Sequence, residues 1–194
     1  MKEQENLNRI ITIPNLLSAF RLVLAFAFLA AYVNTESKED YYLALGMLVL
    51  SAFTDVIDGK IARHFHMISN LGKILDPIAD KVTQGFVMLA LLNRYPLMLA
   101  EIMIFLVKEA YMGIVGLKVI RTAGENKGAL WYGKLNTVIL YGTSLILILF
   151  FEIPAAAANI MILCCCISIL FCWYKYHREY MHILKECKKG HTEK

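Results

Sequence analysis

Four aspartates fall in two close pairs within one stretch, "DVIDGKIARHFHMISNLGKILDPIADK", from Asp55 to Lys81. Asp55 and Asp58 are spaced i,i+3 and Asp76 and Asp80 i,i+4, so on a helix each pair shares a face. Carboxylates brought close together repel one another and cannot all stay ionised without compensation. Hard oxygen ligands on preformed helix faces suit Mg²⁺ or Mn²⁺, and two pairs can hold two ions. Two other uses compete with this one. The aspartates can be neutralised by internal pairing with Arg21, Lys81, Lys108 or Lys134, or they can serve proton or ion transport.

The elements that carry these residues are apolar. Of 194 residues 58% are hydrophobic and 19% charged, and the mean hydropathy is +0.54, which excludes an ordinary soluble domain. A spanning helix needs about 20 mostly apolar residues, and the sequence predicts six such runs: Leu16 to Val33, Tyr41 to Asp58, Leu75 to Leu92, Pro96 to Val119, Lys134 to Phe151 and Pro154 to Tyr174. The fold class expected is therefore all-α, a polytopic membrane protein with six transmembrane helices in one domain over residues 1–194. Residues 1–15, with "LNRIITIPN", read as a short amino-terminal interfacial helix, and residues 175–194 as a basic cytoplasmic tail.

Charge sets the orientation. Only Lys38 and Arg94 fall in the breaks after the first, third and fifth runs, and cytoplasmic loops carry the excess of Lys and Arg. Both termini and the aspartates are thus expected on the cytoplasmic side of the cell (inner) membrane, with no signal peptide. The net charge of +4 is explained by a basic face against anionic lipid rather than by nucleic acid. The five cysteines read as small apolar packing residues, not as a disulfide framework. His64 and His66 read as an exposed loop pair.

Depth brings distant positions together. At about 1.5 Å per helical residue, Asp55 lies about 21 Å and Asp58 about 26 Å below the outer boundary, Asp80 about 18 Å and Asp76 about 24 Å. Arg21 and Lys108 reach about 18 Å and Lys134 about 25 Å. One polar layer in the cytoplasmic half of the membrane follows. Gly59 permits close backbone or ligand approach, and Arg63 can grip a phosphate through two nitrogens.

The string Asp55-x2-Asp58-Gly59-x2-Ala62-Arg63-x8-Gly72-x3-Asp76-x3-Asp80 resembles the signature of the CDP-alcohol phosphotransferases. The resemblance implies a six-helix membrane enzyme, usually a homodimer, that transfers a substituted phosphate from a CDP-linked donor to an alcohol and releases CMP. It implies that Asp55, Asp58 and Asp76 ligate metal. Asp80 would bind the second metal or act as the base on the acceptor hydroxyl, and Gly59, Ala62, Arg63 and Gly72 would line the CDP site.

Within the family, "TIPNLLSAFR" and "GKLNT" (Gly133 to Thr137) are similar to segments of the phosphatidylglycerophosphate synthases, which implies CDP-diacylglycerol as donor and glycerol 3-phosphate as acceptor. The acceptor phosphate would then fall to Arg21, Lys108, Lys118, Arg121 and Lys134, although Lys118 and Arg121 also fit a membrane boundary. Those synthases usually carry Arg-Glu where this chain has Lys108-Glu109. A lysine supplies charge there without the two-pronged fork of arginine. Cardiolipin synthase acting on phosphatidylglycerol, then serine- or inositol-type synthases, are the alternatives within the family. An ion or proton transporter and a catalytically dead scaffold are the alternatives outside it.

Overall fold

The computed structural model describes residues 12–35, 38–64, 71–123, 130–150 and 152–192, with side chains described except at 38, 56, 58–64, 73, 123 and 188–192. Among the described residues every regular element is an α-helix, six in all: α1 (Ile13–Val33), α2 (Lys38–His64), α3 (Gly72–Leu92), α4 (Met98–Ala123), α5 (Trp131–Leu149) and α6 (Ala155–Thr192). Each of the six apolar runs falls on one of them. The expected interfacial helix lies outside the described residues, apart from Thr12 to Asn15, which form the cap and first turn of α1.

Among the described residues, three helices are long and apolar enough to cross a membrane, namely α1, α5 and the Ala155–Cys187 part of α6. The charges that α2, α3 and α4 carry, Asp55 and Asp58, Asp76 to Lys81, and Glu101 with Lys108-Glu109, dilute their hydropathy. Length is not what separates them, because α3 has the same 21 residues as α1. Two helices also outrun their apolar stretches: α2 continues through His64 and α6 through Thr192. The physical reason is that hydropathy marks a solvent boundary, whereas Lys, Arg and Glu are good helix formers and let the hydrogen-bond ladder continue past it.

The chain forms two compact units, Met1–Ala90 and Leu91–Lys194. In the first, α1 packs along α2. The α1 start is built locally: Thr12 is extended (φ −125°, ψ 154°) and its Oγ1 accepts from Asn15 N at 3.3 Å, with Pro14 in the first turn. Proline is tolerated there because its missing N–H has no intrahelical partner to lose. One face of α1 then buries Asn15, Ser18, Arg21, Leu24, Ala25 and Phe28, polar near its start and apolar beyond. The opposite face leaves Leu16, Phe20, Val23 and Phe26 exposed, as a lipid-facing surface requires.

In the second unit α6 packs against both α4 and α5. Ala158, Ile162, Cys165, Ile169, Cys172 and Tyr176 form its buried seam. Their spacing alternates four and three, the repeat that keeps one face against neighbouring helices. Cys165 and Cys172 are thus packing residues of small volume, as expected, and all five cysteines are free thiols. Ile160, Leu163, Ile167 and Phe171 face outward.

Candidate active site

Three helices of the first unit converge on one arginine. Arg21 sits on the buried face of α1, and its Nη1 donates to Asp55 Oδ1 on α2 and, at 2.5 Å, to Asp80 Oδ1 on α3. Its Nη2 donates to Asp76 Oδ1 at 2.5 Å. One oxygen from each of Asp55, Asp76 and Asp80 lies within 4.8 Å of the others. The i,i+4 spacing on α3 presents Asp76 and Asp80 together, and Pro77 between them removes an N–H that would otherwise bond the Lys73 carbonyl.

Burial divides the cluster into a floor and a mouth. The Arg21 side chain is 2% exposed, whereas those of Asp55, Asp76 and Asp80 are 47, 48 and 45% exposed. Within this group of four, one guanidinium faces three carboxylates that still reach solvent. Internal pairing and cation binding are therefore not exclusive. A divalent ion with oxygen ligands at about 2.1 Å places opposite oxygens about 4.2 Å apart, so the spacing of these three carboxylates fits one such ion with little movement.

The structure brings together Asp55, Asp76, Asp80 and Arg21 of the residues singled out from sequence. Arg21 was expected among the acceptor-phosphate cations; here its Nη1 and Nη2 are engaged with the aspartates. Gly72 opens α3, half-buried. Asp58, Gly59, Ala62 and Arg63 lie on the helical backbone of α2, and their side chains are outside the described residues, as is the loop carrying His66.

The remaining expected cations belong to the second unit. Lys108 is buried on α4 and its Nζ donates to Glu109 Oε1 at 2.6 Å, which settles the partner of this adjacent pair. Lys118 and Arg121 are exposed toward the end of α4, and Lys134 is exposed in the first turns of α5. Thr137 Oγ1 donates to Gly133 O at 3.1 Å, so the Gly-Lys-x-x-Thr segment closes on itself by one helical turn. Sequence reading missed Tyr176, whose hydroxyl accepts from Leu130 N at 3.2 Å just before that segment. Nothing short of the folded α5–α6 contact signals it, because the two positions are far apart in the chain.

An all-helical membrane protein built around clustered carboxylates is the class that this arrangement defines. A family model described as CDP-alcohol phosphatidyltransferase matches residues 11–173. The chain belongs to that family. Among curated proteins it is 36% identical to a CDP-diacylglycerol--glycerol-3-phosphate 3-phosphatidyltransferase of Rickettsia bellii, over 48% of this chain and 48% of that protein. It is 35% identical to a cardiolipin synthase (CMP-forming) of Streptomyces coelicolor, over 60% of this chain and 55% of the relative. A cardiolipin synthase (CMP-forming) of Rattus norvegicus is 49% identical over 37% of this chain and 22% of its own length. The matches thus span about half, or less, of the curated relatives.

Proposed function

We propose that the chain transfers a phosphatidyl group from CDP-diacylglycerol to an alcohol acceptor, releasing CMP, with glycerol 3-phosphate as acceptor and phosphatidylglycerophosphate as product. The convergence of Asp55, Asp76 and Asp80 from two helices of the family-matched region carries this reading. Relatives named as the glycerol-3-phosphate enzyme at 36 and 37% identity support the acceptor. Membership in this family favours group transfer over ion or proton transport.

In the reaction the acceptor hydroxyl oxygen attacks the phosphorus that bears the diacylglycerol. The new P–O bond forms as the pyrophosphate P–O bond breaks, and CMP leaves with that electron pair. Asp80, the general base, takes the hydroxyl proton. Asp55, Asp58, Asp76 and Asp80 would hold Mg²⁺ or Mn²⁺, two ions in all, which when bound supply charge stabilisation to the pyrophosphate. Arg21, buried beneath the cluster, fixes where the three carboxylates stand before any substrate arrives. Gly59, Ala62, Arg63 and Gly72 line the donor site, and Lys108, Lys118, Arg121 and Lys134 supply cations for the acceptor phosphate.

All six helices cross the membrane in this reading, with the charges of α2, α3 and α4 turned away from lipid. Exposed Leu99, Met103, Leu106, Ile114 and Leu117 on α4 support the fourth span. The 1–194 chain acts as one catalytic domain, since the family match runs across both compact units. It works as a homodimer in the inner membrane, with both termini and the active site cytoplasmic. Membrane lipids surround it, and no nucleic acid takes part.

The second reading is cardiolipin synthase with phosphatidylglycerol as acceptor, favoured by the relatives so named at 35 and 49% identity. Purified protein in lipid nanodiscs, given CDP-diacylglycerol, Mg²⁺ and one acceptor at a time, separates the two. CMP release with glycerol 3-phosphate is the expected result. Release with phosphatidylglycerol alone would replace the acceptor, and no release with any alcohol would remove the transferase reading.

A further inference from the structure

The segment that carries Lys134 is held by a residue from another helix. Leu130 precedes α5 in an extended conformation (φ −73°, ψ 157°) and offers no side-chain cap. Its N–H donates instead to Tyr176 Oη on α6, at 3.2 Å. The same hydroxyl lies against Gly133: a Cβ built there would stand 2.5 Å from Tyr176 Oη and 3.3 Å from its Cε2 and Cζ. No side chain larger than hydrogen fits unless the tyrosine moves.

Tyr176 itself has little room to move. Its ring meets Tyr132 edge to face at 4.7 Å and 70°, and it is buried with Tyr132 and Cys172, with Met112, Leu130 and Tyr180 packed around them. Gly133 is fixed from its other side as well, since its carbonyl accepts from the Thr137 hydroxyl. The next residue is Lys134, exposed. One hydroxyl therefore sets both the height of the α5 start and the roll of its first turn, and through them the point from which the lysine side chain departs.

We infer that Tyr176 is a positioning residue for acceptor binding: its hydroxyl seats Leu130 and Gly133 so that Lys134 meets the acceptor's phosphate. This rests on the reading of Lys134 as an acceptor-phosphate cation. Misplacing a binding group by about 1 Å is costly in a reaction that depends on alignment. A tyrosine that served packing alone would keep its role as phenylalanine, because the ring would remain in place.

The test uses the full chain in nanodiscs, with glycerol 3-phosphate and CDP-diacylglycerol varied separately. Tyr176→Phe is expected to raise the KM for glycerol 3-phosphate about three- to tenfold, the range spanned by one hydrogen bond, and to leave the KM for CDP-diacylglycerol unchanged. Gly133→Ala is expected to raise the acceptor KM further. In the Tyr176→Phe background the same alanine has a smaller effect, because the atom it would strike is gone. Lys134→Gln sets the reference. If it raises the acceptor KM while Tyr176→Phe does not, or if the Tyr176 and Gly133 effects simply multiply, the positioning role is overturned and the acceptor reading stands. If Lys134→Gln leaves the acceptor KM unchanged, the acceptor reading fails and this inference falls with it.

Discussion

Arg21 on the first helix reaches Asp80 on the third at 2.5 Å through a nitrogen that it also gives to Asp55. A single buried guanidinium thereby ties three helices at the level where the carboxylates gather. Replacing it by glutamine leaves those carboxylates facing one another. The expected loss is about 1–3 kcal/mol of stability, below the range for a fully buried pair because the aspartates are about half exposed. Thermal unfolding in detergent checks this, and Mn²⁺ should raise the midpoint of Arg21→Gln more than that of the unmodified protein. Equal shifts would mean that arginine and cation do not share the same carboxylates.

Asp80 is held by Arg21 yet 45% exposed, so its carboxylate can meet an acceptor hydroxyl. Asp80→Asn keeps the shape and removes the proton acceptor. Turnover should fall at least about a hundredfold, in the range of a lost general base, while CDP-diacylglycerol binding, measured by calorimetry, stays close to that of the unmodified protein. Near-normal turnover would take Asp80 out of the base role.

Glu101 lies in the first turn of α4 at 1% exposure, and its Oε2 has no hydrogen-bond partner among the described residues. A buried, unsatisfied oxygen costs about 1–3 kcal/mol. Glu101→Met, of similar length and without that oxygen, is expected to raise the thermal midpoint and leave CMP release intact. A lowered midpoint would show that the carboxyl serves a partner in the folded state.

Much of this was legible from the chain, for reasons that differ by residue. Apolar runs located all six described helices because helices exposing apolar side chains along one face need long apolar stretches, as Leu16 to Phe26 on α1 and Ile160 to Phe171 on α6 show. The meeting of Asp55, Asp76 and Asp80 followed from the i,i+4 spacing of the last two and from counted depth, which is a property of the helix rather than of tertiary detail. Partner choice was not legible. Arg21 and Lys108 were assigned similar depths, yet Arg21 turns to the aspartates and Lys108 to its own neighbour Glu109. Depth fixes a layer and leaves the direction within it open. The helix ends at His64 and Thr192 were missed because a hydropathy boundary is not a helix cap.

As proposed, the Asp55, Asp76 and Asp80 cluster is a divalent-cation site at which CDP-diacylglycerol is cleaved. The most direct measurement follows CMP release from CDP-diacylglycerol and glycerol 3-phosphate as Mn²⁺ is titrated into chelator-treated protein, with paramagnetic resonance recording bound Mn²⁺ in the same samples. The expected result is no release without the metal, a rise that tracks the bound signal, and a half-saturating Mn²⁺ at least about tenfold higher in Asp76→Asn. Full-rate CMP release after chelation, or unaltered Mn²⁺ binding in Asp76→Asn, would contradict it.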